Sequence, residues 1–174
     1  QGVSSAASDV YKRQTDDTIN IIHNYASKDS RIRVFQNKMN LGQFPNRNYA
    51  ASLAKGNFLV YVDSDDTIQP DAFSFIVDCF TKYPEVGFLV SYYGDYFKEP
   101  VSLEPKESIL HHFLKESILH IGPGGTSIRR ELFNELKGFN TSFGPASDMY
   151  YNINVAAATP ILLHKHIYLS LIHI

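Results

Sequence analysis

The sequence predicts an α/β fold in which a mostly parallel sheet is flanked by helices. Three observations carry this. Amphipathic helical periodicity recurs three times, each time followed by an alternating or apolar run of strand length. Residues 57–62 (NFLVYV) are almost continuously apolar and bounded by turn residues, as expected of a strand covered on both faces. The 174 residues, 44% hydrophobic and 20% charged, have the composition of one ordered globular domain.

Each element has its own local cause. Residues 15–27 read as a helix: Thr15 can cap it, Asp16 and Asp17 suit the positive end of the helix dipole, and Ile19, Ile22, Tyr25 and Ala26 make an apolar stripe. Residues 31–36 (RIRVFQ) alternate and predict a strand. Asn40, Leu41 and Gly42 punctuate. Residues 46–55 form a second helix with Ala50, Ala51, Leu53 and Ala54 for close packing, ended by Gly56. After the strand at 57–62, Pro70 opens a third helix reaching Lys82, with Phe73, Ile76, Val77 and Phe80 as its stripe. Residues 86–92 predict another strand.

Composition excludes several classes. Sixteen basic and eighteen acidic residues leave a net charge of −2, without the basic footprint that wraps nucleic acid. Nothing approaches the ~18 consecutive apolar residues of a membrane span. The single cysteine, Cys79, allows no internal disulfide and no cysteine metal cage, and reads as a small core residue. A soluble protein of a reducing compartment is expected.

In open α/β sheets ligands bind beyond the carboxyl ends of the strands, which directs attention to the residues just after Val62. There stand Asp63, Ser64, Asp65 and Asp66. Three carboxylates in four residues repel unless something offsets their charge, and a hard divalent cation with oxygen ligands does this well. The same spacing also fits a solvated turn in which Asp66 or Thr67 caps the next helix.

The surroundings extend the pattern. The stretch TDDTINIIHNYASKDSRIRVFQNKMNLGQFPNRNYAASLAKGNFLVYVDSDDTIQPDAF runs helix, strand, N-x-G loop, R-N helix, A-K-G turn, apolar strand and D-x-D-D loop. Downstream, GGTSIRRELFNELKGFNTSFGPASDMYYNINVAAATP joins a small-residue loop, a basic helix start, a G-F pair and an acidic residue opening a helix. In order and spacing the chain resembles glycosyltransferase family 2, of the GT-A fold.

The resemblance implies a nucleotide-sugar-dependent transferase. Asp63 and Asp65 then hold Mg²⁺ or Mn²⁺ together with the donor's ribose and diphosphate, Asp65 on the metal and Asp63 nearer the ribose. Arg47 lies near the donor nucleotide; as a plain surface arginine it would instead snorkel over its helix. Asp148 is the general base of an inverting displacement. The family usually has Glu-Asp where this chain has Ser147-Asp148, and Ser147 with Asp148 also suits an ordinary helix cap and first turn. The loop 122–126, with Gly125, is expected to approach donor or acceptor closely. The resemblance further implies a UDP-sugar as donor, a saccharide or lipid-linked saccharide as acceptor, and bacterial surface-polysaccharide synthesis in the cytoplasm as the setting, with the full-length parent expected at the inner membrane face. A sugar-nucleotide nucleotidyltransferase and a non-catalytic carbohydrate-binding remnant of the fold are the alternatives.

Other features read as structural. Histidines 111, 112 and 120 lack metal-ligand spacing and suit packing or solvent. Histidines 164 and 166 alternate on a strand and are expected to be exposed. The hexapeptide KESILH at 106–111 recurs at 115–120, nine residues on, so two helical copies would face opposite ways. Tyr92, Tyr93 and Tyr96 follow a strand end where aromatics can stack on sugars.

The chain departs from the family at its ends. Residues 1–14 and 169–174 read as segments foreign to the domain, leaving 15–168 as a partial GT-A domain. The family's first two strands, which lie between 31–36 and 57–62 in its sheet, have no counterpart before Thr15. A fragment lacking its first two strands and its base pocket is expected.

Overall fold

The computed structural model describes residues 3–7, 17–63, 66–98, 100–166 and 169–171. In chain order the elements are β1 (Val3–Ala7), α1 (Thr18–Ala26), α2 (Gln43–Leu53), β2 (Phe58–Val62), β3 (Asp66–Ile68), α3 (Ala72–Lys82), β4 (Phe88–Ser91), β5 (Val101–Leu103), α4 (Pro105–Leu114), β6 (Thr126–Arg129), α5 (Arg130–Glu135), α6 (Ser147–Ala158), β7 (Ile161–His164) and β8 (Leu169–Leu171). Two 3₁₀ turns, Pro123–Gly125 and Thr141–Ala146, precede β6 and α6.

Six strands form the main sheet in the order β1-β2-β6-β4-β7-β5, and β3 pairs with β8 in a separate ribbon. β1 runs parallel to β2 and β4 parallel to β7, whereas β6 is antiparallel to both β2 and β4, and β5 to β7. Four of the six strands therefore share one direction, while the pairing is mixed. Both end segments set apart in the sequence supply a strand: Val3–Ala7 beside β2, and Leu169–Leu171 beside β3. The expectation that no strand precedes Thr15 is thus corrected, because Val3–Ala7 pairs with β2 along its whole length.

Strand alternation sorts the core into two layers. Leu59 and Tyr61 of β2, Phe88 and Val90 of β4, and Ile161 and Leu163 of β7 face a cluster shared with α2, α5 and α6. Phe58, Val60, Leu89 and Leu162 face the other way, against Ala72, Ile76, Cys79 and Phe80 of α3. Both faces are covered, which accounts for the continuous apolar run of β2. Cys79 is a core residue as expected, and burial pushes its thiol up to about 11.

Three expectations need correction. Residues 31–36 are not a strand. A strand needs a neighbour to complete its hydrogen bonds, and none of the described residues offers one there. The helix expected from Thr15 is found as Thr18–Ala26, but its stripe is only partly covered: Ile19, Ile22 and Ala26 are half-buried and Tyr25 is exposed. His164 is 1% exposed rather than exposed. It ends β7 on the α3 side of the sheet, its ring edge-on to Phe75 at 5.0 Å, and burial lowers its pKa to about 4.

The repeated hexapeptide shows context overriding local sequence. The first copy lies in α4, where a Glu104–Glu107 capping box and Pro105 start the helix. The second copy is an irregular loop whose Leu119 amide donates to Nδ1 of His112 (3.1 Å). His111 packs against Tyr96 and Phe97, so His111 and His112 serve packing while His120 is exposed.

Candidate active site

Chain direction decides which end of the sheet can react. β1, β2, β4 and β7 all end at one edge, and the antiparallel β6 begins there. α6 is separated from β7 by Thr159 and Pro160 alone, so it runs back along the sheet and opens at that same edge. Asp63, the Pro123–Gly125 turn, Tyr92 and the first turn of α6 are therefore gathered at one rim, as the rule for α/β sheets requires.

Asp63 follows β2 directly, and Arg47 reaches it from α2. Nη2 of Arg47 donates to both carboxylate oxygens, at 2.7 Å to Oδ1 and 2.6 Å to Oδ2. The two partners differ sharply in exposure: the arginine side chain is 2% exposed and the aspartate 34%. Arg47 is no snorkelling surface residue; its guanidinium lies 5.9 Å from both the Phe44 and Tyr61 ring centroids. The Tyr61 hydroxyl donates to the Arg47 carbonyl at 3.3 Å. Burial raises the Tyr61 and Tyr151 hydroxyl pKa values, so neither can serve as a base near neutral pH.

One aromatic cluster links the three site-bearing elements. Phe139 lies 5.2 Å from Phe44 of α2, 5.8 Å from Tyr61 of β2 and 4.3 Å from Tyr151 of α6. Phe44 is one helical turn before Arg47, Tyr61 two strand positions before Asp63, and Tyr151 three helical positions after Asp148. The side chains of Arg47, Asp63 and Asp148 thus hang from a single packed unit. The R-N and G-F motifs meet here as well: Asn48 Nδ2 donates to the Phe139 carbonyl (2.8 Å) and the Phe139 amide donates to Asn48 Oδ1 (2.9 Å). Gly138 has φ +64°, and a side chain there would collide with Asn48 and Phe133. The sequence does not reveal Asn48 and Phe139 as a pair because 91 positions separate them. Their places in the R-N and G-F motifs are the only signal it offers.

Asp148 is half-buried in the first turn of α6, where the helix dipole favours a carboxylate. Its Oδ1 accepts from the Met149 amide at 2.7 Å. Ser147 does not fill the cap position that the alternative reading gave it: it is already helical and buried, and its hydroxyl donates to the Gly144 carbonyl at 2.8 Å. This ties α6 to a turn in which Gly144 takes φ +54°.

The other expected site residues take mixed roles. Gly125 closes its turn by donating to the Gly122 carbonyl (3.0 Å), and the Ile121 side chain occupies the space a Cβ would need. Its smallness therefore serves packing within its own loop. Tyr92 is buried and bonded to Glu116, whereas Tyr93 and Tyr96 are exposed at the rim. Asp65, the expected metal ligand, lies outside the described residues. Asp63 by itself offers oxygen of the kind a hard divalent cation takes and keeps part of its carboxylate in solvent, while both its oxygens accept from Arg47. Among the described residues no group of three or more His, Cys, Asp or Glu converges as a metal cluster.

A mixed α/β sheet flanked by helices thus carries carboxylates at a strand end and at a helix start on one rim, where such sheets bind ligands. Comparison with known proteins agrees. The profile described as "Glycosyl transferase family 2" matches residues 13–137, and the chain belongs to that family. A protein of Haemophilus influenzae named an uncharacterized glycosyltransferase is 39% identical over 57 residues, 33% of this chain and 23% of its own length. One of Methanocaldococcus jannaschii with a like name is 40% identical over 50 residues, 29% of this chain and 17% of its own. Among solved structures, S. aureus TarS 1-349 superposes with a TM-score of 0.71 at 21% identity, covering 95% of this chain and 49% of that one. TarS 1-349 in complex with UDP-GlcNAc gives 0.70 at 22% identity, covering 90% and 46%. The chain spans about a quarter or less of those two curated relatives and about half of TarS 1-349. Among the described residues no helix is long and apolar enough to cross a membrane.

Proposed function

We propose that the protein transfers a sugar from a nucleoside-diphosphate donor, a UDP-sugar, to a hydroxyl of a saccharide or lipid-linked saccharide, with inversion at the anomeric carbon. The observation that carries this reading is the shared rim: Asp63 on its strand end and Asp148 on its helix start, both hung from the Phe139 cluster. Family membership supports the transferase class, and the UDP-GlcNAc complex of TarS supports the donor class.

The chemistry rests on these groups. The acceptor oxygen attacks the anomeric carbon as the bond to the diphosphate breaks, and the electron pair leaves with the diphosphate. The hydroxyl proton passes to Asp148. The Met149 amide fixes that carboxylate through Oδ1, which leaves Oδ2 for the acceptor. Asp63 and Asp65 are the residues to hold Mg²⁺ or Mn²⁺, which when bound stabilises charge growing on the diphosphate. Asp63 also orients the ribose, and the backbone at Gly125 lines the same rim. In the full-length protein, Asp65→Ala and Asp148→Asn should each slow transfer at least about a hundredfold at unchanged melting temperature. Transfer measured with radiolabelled UDP-sugars checks this, and activity retained by both variants overturns the assignment.

A further inference from the structure

We infer that Asn152 is a positioning residue for the transfer. Its side-chain amide ties the helix that carries Asp148 to the loop that carries Gly125, and so sets the gap in which the acceptor hydroxyl meets the sugar. This rests on the general-base reading of Asp148. Asn152 lies one helical turn beyond Asp148, on the same face of α6. It is 1% exposed. Its Nδ2 donates to the Leu119 carbonyl at 2.9 Å and to the Ile121 carbonyl at 2.8 Å. Residues 119–122 belong to no helix or strand, so no ladder serves these two carbonyls.

Ile121 passes the hold on to the rim. Its side chain fills the space where a Cβ on Gly125 would stand. The turn itself is closed from within: the Gly125 amide donates to the Gly122 carbonyl (3.0 Å) and the Thr126 hydroxyl to the Pro123 carbonyl (3.1 Å). It therefore follows Ile121 as a unit, and Asn152 is where that unit meets α6. Packing alone does not call for asparagine here. Asparagine is a weak helix former, its buried neighbours on α6 include Tyr151, Val155 and Ala156, and leucine fills a similar volume without an amide to bury. What the amide adds is registry, because two bonds from one nitrogen fix the loop along α6 relative to Asp148. Transfer brings the acceptor oxygen to the anomeric carbon while its proton goes to Asp148, and a misplacement of ~1 Å in such a geometry costs about a hundredfold.

The test uses the full-length protein and follows UDP release from UDP-GlcNAc, UDP-glucose and UDP-galactose, with a mixture of octyl glycosides as acceptor. Asn152→Leu should lower turnover at saturating donor about tenfold or more, while UDP affinity by calorimetry stays within about twofold. Ser108→Ala is the comparison, since the Ser108 hydroxyl donates to the Ala156 carbonyl (3.3 Å) towards the other end of α6. Its loss should leave turnover within about twofold. Unchanged turnover in Asn152→Leu, a UDP affinity that falls as far as turnover, or an equal loss of turnover in Ser108→Ala overturns the inference. If Asn152→Leu does not fold, Asn152→Gln takes its place. It keeps the amide one methylene further out and should lower turnover at least about threefold at an unchanged melting temperature; unchanged turnover overturns the inference. If the wild type releases no UDP, the donor reading fails for these sugars, and the inference is judged from hydrogen exchange by NMR. Faster exchange of the Gly125 amide in the variant, with the amides of α6 unchanged, supports it, and unchanged exchange at Gly125 overturns it.

Discussion

Two amphipathic helices of this chain meet opposite fates. α6 lies on the sheet and buries Tyr151, Asn152, Val155 and Ala156. α1 has the clearer stripe in sequence, yet none of its residues is buried; Ile21 is 52% and Tyr25 61% exposed. The exposure continues through Ile32, Phe35, Met39 and Leu41. Helical periodicity therefore states what a segment is able to bury, while the presence of a facing surface decides whether it does. Residues 43–166 have such surfaces on both faces of the sheet. Residues 17–41 are held chiefly by polar contacts, such as Arg33 Nη2 to the Leu53 carbonyl and Asn37 to Asn46, both at 2.5 Å.

Truncation at the centre of each region contrasts them most strongly. Phe139→Ala removes a ring that touches four others and should destabilise by about 3–5 kcal/mol. Phe35→Ala, at 44% exposure, should cost less than about 0.5 kcal/mol. Urea unfolding compares the two, and equal effects would dissolve the distinction between the regions.

Acid should reach the packed region through His164. Its folded-state pKa of about 4 lies below the ordinary 6.5, so between those values the unfolded chain takes up a proton that the folded chain refuses. The stability it confers is complete above pH 6.5 and is lost as pH falls towards 4, by about 3 kcal/mol. Urea unfolding at pH 7.5 and 4.5 should show the loss, and His164→Phe should shrink it. An unchanged pH slope in that variant would show that His164 is not the group responsible.

The smallest effect is expected on α1. Ile21→Ser and Tyr25→Ser should change stability by no more than about 0.5 kcal/mol, because both side chains stay more than half exposed. A loss above 2 kcal/mol in either would reveal a cover over the exposed side of α1.

Much of the fold was legible. The helix at 70–82 and the strands at 57–62 and 86–92 were found close to the expected bounds, because their apolar residues meet a facing surface. The strand at 31–36 failed for the complementary reason, since alternation describes one strand and pairing requires two. Asp63 was singled out by its place after an apolar strand and Asp148 by the family resemblance, and both stand at the rim where the parallel strands end. The burial of Arg47 was not legible, because a charged residue at a helical position gives no sign of whether its face meets water or a strand end. His164 misled in the same way: a polar residue ending a strand reads as exposed until the helix crossing over it is known.

The helices and strands between residues 43 and 92, the acidic strand end and the motif spacing belong to the sequence, since each depends on residues within a few positions of one another. The contact between Arg47 and Asp63, the latch between Asn48 and Phe139, and the gathering of three site elements around one aromatic cluster arise from folding. They join residues 16 to about 100 positions apart, and local preference carries no information across such distances.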